Sequence, residues 1–82
     1  MIVDVKLWAG LRPLADNNEV VQVEARTIRE MLAKLGARYP GLRAPIKGQV
    51  AVAINGVIYR DDWSQTLPQD AEIMLMRRLS GG

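Results

Sequence analysis

The sequence contains no cysteine and no histidine. Without cysteine there is no disulfide, thiolate zinc site, iron–sulfur cluster or catalytic thiol. Without histidine, the commonest general base and the commonest metal ligand are gone as well. A self-contained enzyme mechanism is therefore not expected, and neither is a bound metal. Long apolar runs are also missing. The longest resemble Val50–Ile54, whereas a membrane span needs about 20 residues. The stretch Met1-Ile2-Val3-Asp4-Val5-Lys6 puts no basic region ahead of an apolar block, so it does not read as a secretory signal, and the cytoplasm is the default compartment. Eleven Lys and Arg are scattered among nine Asp and Glu, for a net charge of +2. That is not the concentrated basic footprint of a nucleic-acid binder. Neither a membrane nor a nucleic acid is an expected partner.

What is present is one small domain of 82 residues, 49% hydrophobic and 24% charged. A chain of this size buries only about 60–65% of its unfolded surface, so the core is thin. Ile2–Ala9 alternates: Val3, Val5 and Leu7 share one face, and Ile2, Asp4, Lys6 and Trp8 share the other. Period two with β-branched residues predicts a half-buried strand. Asp16-Asn17-Asn18 is turn chemistry. Glu19–Ala25 then reads as a second strand, antiparallel to the first.

Thr27-Ile28-Arg29-Glu30 is a capping box, in which Thr27 accepts from the Glu30 amide and Glu30 can return to the Thr27 amide. Ile28, Met31, Leu32, Leu35 and Tyr39 recur at helical spacing, and Glu30 and Lys34 are placed for an i,i+4 pair. Pro40-Gly41 stops the helix, and Leu42–Gly48 reads as an irregular crossing. Val50–Ile54, the turn pair Asn55-Gly56 and Val57–Tyr59 form a hairpin. Asp61–Asp70 is polar and reads as loop, and Glu72–Arg78 is the last strand. The order β-β-α-β-β-β predicts an α+β fold: a mixed sheet holding one helix, with the last strand beside the first. That architecture is the ubiquitin-like β-grasp.

The sequence closes on Leu79-Ser80-Gly81-Gly82. We expect residues 1–78 to form the domain and residues 79–82 a flexible tail. Four extended residues reach at most ~13–14 Å beyond the sheet, and glycines let such a tail thread a narrow slot. A carboxylate on Gly82, with a pKa of roughly 3.5, is an accessible oxygen nucleophile on an arm. No base or metal accompanies it, which suits a substrate presented to another enzyme. The opposing reading is a frayed end. Trp8, Met74 and Met76 fall on the open face of the first and last strands. They form either an exposed apolar interface or ordinary surface hydrophobes. Arg77-Arg78 is either a solvated strand end or a pair that docks against acids of a partner. Asp61-Asp62 reads as solvated loop acids before a cation site, with Trp63 as a lid on the core's edge.

Five motifs in order carry a resemblance: Val5–Arg12, Thr27–Leu42, Val52–Gly56, Thr66–Ile73 and Ser80–Gly82. Together they resemble the MoaD/ThiS family of ubiquitin-like sulfur carrier proteins, and within it most the small subunits of molybdopterin synthase. The resemblance implies that an ATP-dependent adenylating enzyme, of the ubiquitin-activating type, acts on the Gly82 carboxylate. Sulfur then displaces AMP to leave a thiocarboxylate, which a larger synthase subunit or another acceptor enzyme consumes. ATP belongs to that partner; the carrier itself holds no cofactor. Molybdopterin carriers often have a Pro-Pro pair where this chain has Arg77-Arg78, which is closer in character to the tail of ubiquitin. The resemblance also leaves open a protein modifier joined to lysines through Gly82. Carriers for thiamine, cysteine or tRNA thiolation remain open as well.

Overall fold

A computed structural model describes residues 1–78. The tail residues Leu79, Ser80, Gly81 and Gly82 lie outside the described residues, and so does the expectation placed on them. Strand β1 (Ile2–Leu7) is followed by a short 3-10 turn, Arg12–Ala15, and by β2 (Val20–Glu24). Helix α1 (Ile28–Arg38) crosses the sheet, and a 3-10 turn at Pro40–Leu42 leads into a one-turn helix α2 (Arg43–Ile46). Strands β3 (Val50–Ile54), β4 (Val57–Tyr59) and β5 (Ile73–Arg77) complete the chain. The sheet order is β2-β1-β5-β3-β4. It is a mixed sheet with β5 parallel to β1 and antiparallel to β3.

The alternation in β1 resolves as read: Val3, Val5 and Leu7 are buried and Ile2, Asp4 and Lys6 are exposed. Ile73 and Leu75 face the same core from β5, and Ile28, Met31, Leu32 and Leu35 close it from α1. Among the described residues the buried set contains no polar or charged side chain. Asn55 and Gly56 both have positive φ, 49° and 86°, as the two-residue hairpin turn requires. The Asn55 side chain does a second job, accepting from the Glu72 amide at 2.9 Å and so fixing the entry to β5.

Three local expectations are corrected. Leu42–Gly48 is not an irregular crossing: Leu42 ends the 3-10 turn and Arg43–Ile46 form α2. Pro45 is tolerated because it lies in the first turn of α2, where a backbone N–H has no intrahelical partner to lose. The Glu30 carboxylate reaches one residue further back than expected, accepting from the Arg26 amide at 2.9 Å, while Thr27 Oγ1 accepts from the Glu30 amide at 3.2 Å. Glu30 and Lys34 do not pair. Lys34 Nζ donates instead to the Glu24 carbonyl at 2.7 Å, and Arg38 donates to the Gln22 carbonyl at 2.9 Å. Strand β2 is a sheet edge, so its outward carbonyls are open, and charged donors from the helix cover them.

Two substitutions on adjacent positions of β5 separate the two faces. Leu75→Ala, in the core, should cost about 2–5 kcal/mol of unfolding free energy. Met74→Ala, on the half-buried open face, should cost less than half of that. Urea unfolding of the two variants beside the parent checks the ordering.

Candidate functional site

Strand β5 sits in the middle of the sheet, and it is the strand from which the last residues depart. Its register is fixed on both sides: Val5, Lys6 and Leu7 pair with Ile73, Met74 and Leu75, while Val50 to Ile54 pair with Arg77 to Ile73. Beyond the ladder, the Trp8 amide donates to the Leu75 carbonyl at 3.0 Å and the Arg78 amide donates to the Gln49 carbonyl at 2.8 Å. The backbone is therefore anchored up to the last described residue. Because β1 is parallel to β5, and β3 and β4 run antiparallel in succession, one end of the sheet gathers Trp8, Gln49, Arg60 and Arg78. These are residues far apart in sequence.

Arg78 is held within the chain. Its guanidinium donates to the Arg60 carbonyl and to Asp61 Oδ1, the latter at 3.1 Å. The pair is a surface one, with the Asp61 side chain 88% exposed, so it contributes at most about 1 kcal/mol. Its effect is geometric, since it fixes where the chain leaves the sheet. Arg77 is exposed, and its Nε lies 3.8 Å from where a β-carbon on Gly10 would stand. The basic pair thus divides: Arg78 is tied to the 60–61 turn and Arg77 faces solvent.

The open face brings together the residues read as an apolar patch. Met76 lies opposite Ala51, and Met74 lies opposite Ala53 and beside Lys6. Trp8, Met76, Ala51 and Ile58 line one shallow cleft of about 330 Å³, rimmed by Arg60, Arg77 and Arg78. A second cleft of similar size carries Met74 and Met76 along to Lys6 and Ile58. Ile58 was missed from the sequence, although it is 53% exposed. The signal was present, because the Asn55-Gly56 hairpin register sets Ile58 opposite Ala53. The small side chains of Ala51 and Ala53 leave room for the two methionines to lie across the sheet.

Asp61 and Asp62 do not converge. Asp61 faces Arg78, while the Asp62 carboxylate accepts from the Ser64 hydroxyl and amide and from the Gln65 side chain. The Ser64 hydroxyl foremost, then the Gln65 amide, holds the Asp62 carboxyl below its ordinary value. Among the described residues no cluster of three or more metal-ligating side chains forms. The loop that Asp62 orders covers the start of α1. The Arg29 amide donates to the Trp63 carbonyl at 2.9 Å, the Ile28 amide to the Gln65 carbonyl at 3.0 Å, and the Leu67 amide to the Arg26 carbonyl at 2.8 Å. Trp63 packs half-buried against the core, as a lid.

This architecture, a mixed five-stranded sheet clasping a helix and ending on its middle strand, is the ubiquitin-like β-grasp. The profile of the ThiS family matches residues 5–82, and the chain belongs to that family, a family of ubiquitin-like sulfur carriers and modifiers whose small proteins are not themselves enzymes. The solution structure of small archaeal modifier protein 1 from Methanosarcina acetivorans is 29% identical, with a TM-score of 0.78 over 99% of this chain and 96% of that one. Subunit 1 of molybdopterin-converting factor from Helicobacter pylori, solved in complex with subunit 2, is 26% identical, with a TM-score of 0.70 over the whole of both chains. A chain of the BexX/CysO complex from Amycolatopsis orientalis shares the fold at 16% identity, with a TM-score of 0.78 over 96% of this chain and 98% of that one. No curated protein matches the sequence. Among the described residues no helix is long and apolar enough to cross a membrane.

The Asp62 cluster predicts an acid dependence with a definite sign. A carboxyl held below its unfolded value stabilises the fold above that value and loses the contribution as pH falls through and below about 4. Asp62→Asn should therefore destabilise the protein at neutral pH and flatten the acid limb of its stability profile. Thermal melts of parent and variant from pH 7 down to about pH 3 check this, the two curves converging at the acid end.

Proposed function

We propose that the protein is a sulfur carrier whose working group is the Gly82 carboxylate. The observation that carries this reading is the family match that runs through Gly81-Gly82, on a chain whose last described residues leave the middle strand of the sheet. In the proposed cycle, a carboxylate oxygen of Gly82 attacks the α-phosphorus of ATP on an adenylating partner enzyme, and pyrophosphate leaves. The product is an acyl adenylate, in which AMP has become the leaving group. A sulfur nucleophile then attacks the carbonyl carbon and expels AMP. If the donor is a persulfide, a second thiol cleaves the resulting acyl disulfide to leave the thiocarboxylate. A chain without cysteine has no side-chain thiol on which to carry the sulfur, so the carbonyl carbon is the chemically available place.

The acceptor we favour is the molybdopterin pathway, by analogy with the Helicobacter pylori subunit 1, which is solved with its subunit 2. The face of Trp8, Met74, Met76 and Ile58, together with exposed Arg77, is the surface through which a larger synthase subunit would hold the domain while residues 79–82 extend into it. Arg78 would keep the departure point fixed. The reaction would proceed in the cytoplasm, without metal or cofactor on this chain.

A second reading has its own support. The likeness to an archaeal modifier protein and the basic Arg77-Arg78 pair favour a modifier. In that case a lysine amine, instead of a sulfur nucleophile, attacks the activated Gly82 and forms an isopeptide bond. The two readings share every step up to the second nucleophile.

Mass spectrometry of the chain purified from its own cells separates them. The carrier reading expects an intact mass raised by the exchange of one oxygen for one sulfur, lost when a residue is added after Gly82. The modifier reading expects other proteins whose lysines keep Leu79-Ser80-Gly81-Gly82 after trypsin cuts behind Arg78. An unmodified Gly82 in both assays, or a native chain that continues past it, removes the proposal.

A further inference from the structure

Another cleft lies on the opposite layer of the molecule, between the outer side of α1 and α2, with a volume of about 380 Å³. Its floor is Leu32, Ala33, Gly36 and Ala37, and its walls are Ile46 and Trp63. Its rim is basic: Arg29 at one end, Arg43 and Lys47 at the other. Among the described residues no acid lines it, and the ion pairs, Arg12–Glu19 and Arg78–Asp61, involve none of the three rim cations; Arg29 feels the charge of Asp62 just outside the cleft, while Arg43 and Lys47 form no ion pair. The nearby Asp62 carboxylate is engaged by Ser64 and Gln65.

The cleft is built before anything enters it. Arg43 Nε donates to the Gly36 carbonyl at 3.0 Å. A β-carbon at Gly36 would come within 3.3 Å of Arg43 Cγ and 3.9 Å of Ile46 Cδ1, so the glycine is what lets α2 seat closely on α1. Trp63 is held at the other wall by the Arg29 amide. The small Ala33 and Ala37 on an exposed helical face leave no side-chain bulk to keep another backbone away. Arg29 and Gly36, beside which Arg43 is bonded, are seven residues apart on α1, or about 10 Å. That equals the rise of two turns on a facing helix.

We propose that this cleft is a second docking surface, and that its occupant is an acidic amphipathic helix of a partner protein. The helix would set carboxylates at i and i+7 against the two basic ends and lay apolar side chains at i+3 and i+4 on the floor. The charge of the rim selects this occupant. A second copy of this chain carries a net charge of +2 and brings its own basic rim. The surface lies on the layer facing away from the open sheet face, so both can be occupied together, and it stands whether or not Gly82 carries sulfur.

The test uses the full chain and a synthetic helix with glutamates at i and i+7 and leucines at i+3 and i+4, followed by amide chemical-shift mapping. Shifts are expected in residues 29–37 and 43–47 and at the Trp63 indole, with Met74 and Met76 unmoved. The Arg29→Glu/Lys47→Glu double variant should lose about tenfold in affinity. Ala33→Gln, a neutral helix-compatible block on the floor, should weaken binding without altering the rim. Matching thermal melts show that both variants are folded. The same peptide with lysines in place of glutamates should not bind. Absence of binding, or shifts centred on the sheet face, overturns the proposal. So do equal affinities for parent and double variant. Two other occupants would overturn it too: a second copy, seen as the same shifts growing with protein concentration alone, or the chain's own Leu79, seen as contacts with Trp63 in the free protein.

Discussion

The ladder that holds β5 between β1 and β3 is the constraint on which the rest of the molecule depends. A strand bonded along both edges has its backbone donors and acceptors satisfied on each side, and such strands belong to the part of a fold that opens last. Parallel pairing of β5 with β1 requires a long connection, and here it is nearly the whole molecule. The second strand, the helix and the second hairpin all lie in the chain between Val5 and Ile73. The result is that the chain runs on from a strand bonded along both sides and not from a sheet edge. The backbone bonds of Arg78 to Gln49 and of Trp8 to Leu75 carry that fixation to the sheet's end.

The same strand divides its side chains between the core and the open face of the sheet. Ile73 and Leu75 turn into a core with no buried polar group among the described residues, so nothing there needs a partner beyond apolar contact. Met74 and Met76 turn outward over Ala51 and Ala53, where unbranched side chains can adapt to a partner without disturbing the core. Trp8 just past the end of β1 and Ile58 on β4 extend that face to either side of β5 and β3, and exposed Arg77 gives it a charged border. Because the alternation is strict, a one-residue slip of β5 would exchange the two sets. The Asn55 contact to the Glu72 amide, set just before the strand begins, opposes such a slip.

What the sequence made legible follows from what is periodic. The alternation of β1 and β5, the helical spacing from Ile28 to Leu35 and the Asn55-Gly56 turn are local signals with one physical meaning each, and they give the two hairpins and the last strand beside the first; the pairing of β5 with β3 is not among them. The open-face patch was legible for the same reason, since Trp8, Met74 and Met76 are read off the same alternation. What escaped depends on partners remote in sequence. Lys34 is geometrically free to meet Glu30, but the edge carbonyl of Glu24 is available only once α1 lies across β2. Pro45 reads as a breaker unless the preceding 3-10 turn is known to place it in a first helical turn. For Arg78 the sequence offers a solvated strand end or a partner's acids, and not its actual acceptor, because Asp61 is seventeen residues away. Ile58 joins the patch only through the register of its hairpin.

A single stretch of chain touches both candidate surfaces. Arg60 and Asp61 hold Arg78 at the point where the chain leaves the sheet, and two residues later Trp63 forms a wall of the cleft on the helical side. Between them, Asp62 fixes the bend through Ser64 and Gln65, and the carbonyls of Trp63 and Gln65 close the start of α1. A helix whose first amides are satisfied by a distant loop is rigidly tied to that loop. Trp63 is thus bonded to the Arg29 amide on one side and lies two residues from the Asp61–Arg78 pair on the other. The pair is exposed and worth little in free energy, so it is the first link along this path to yield. One way for a site on the helical side and the root of the final residues to be coupled is a contiguous bonded route. Residues 60–65 provide the shortest covalent one, with its weakest joint at the place where the chain leaves the sheet.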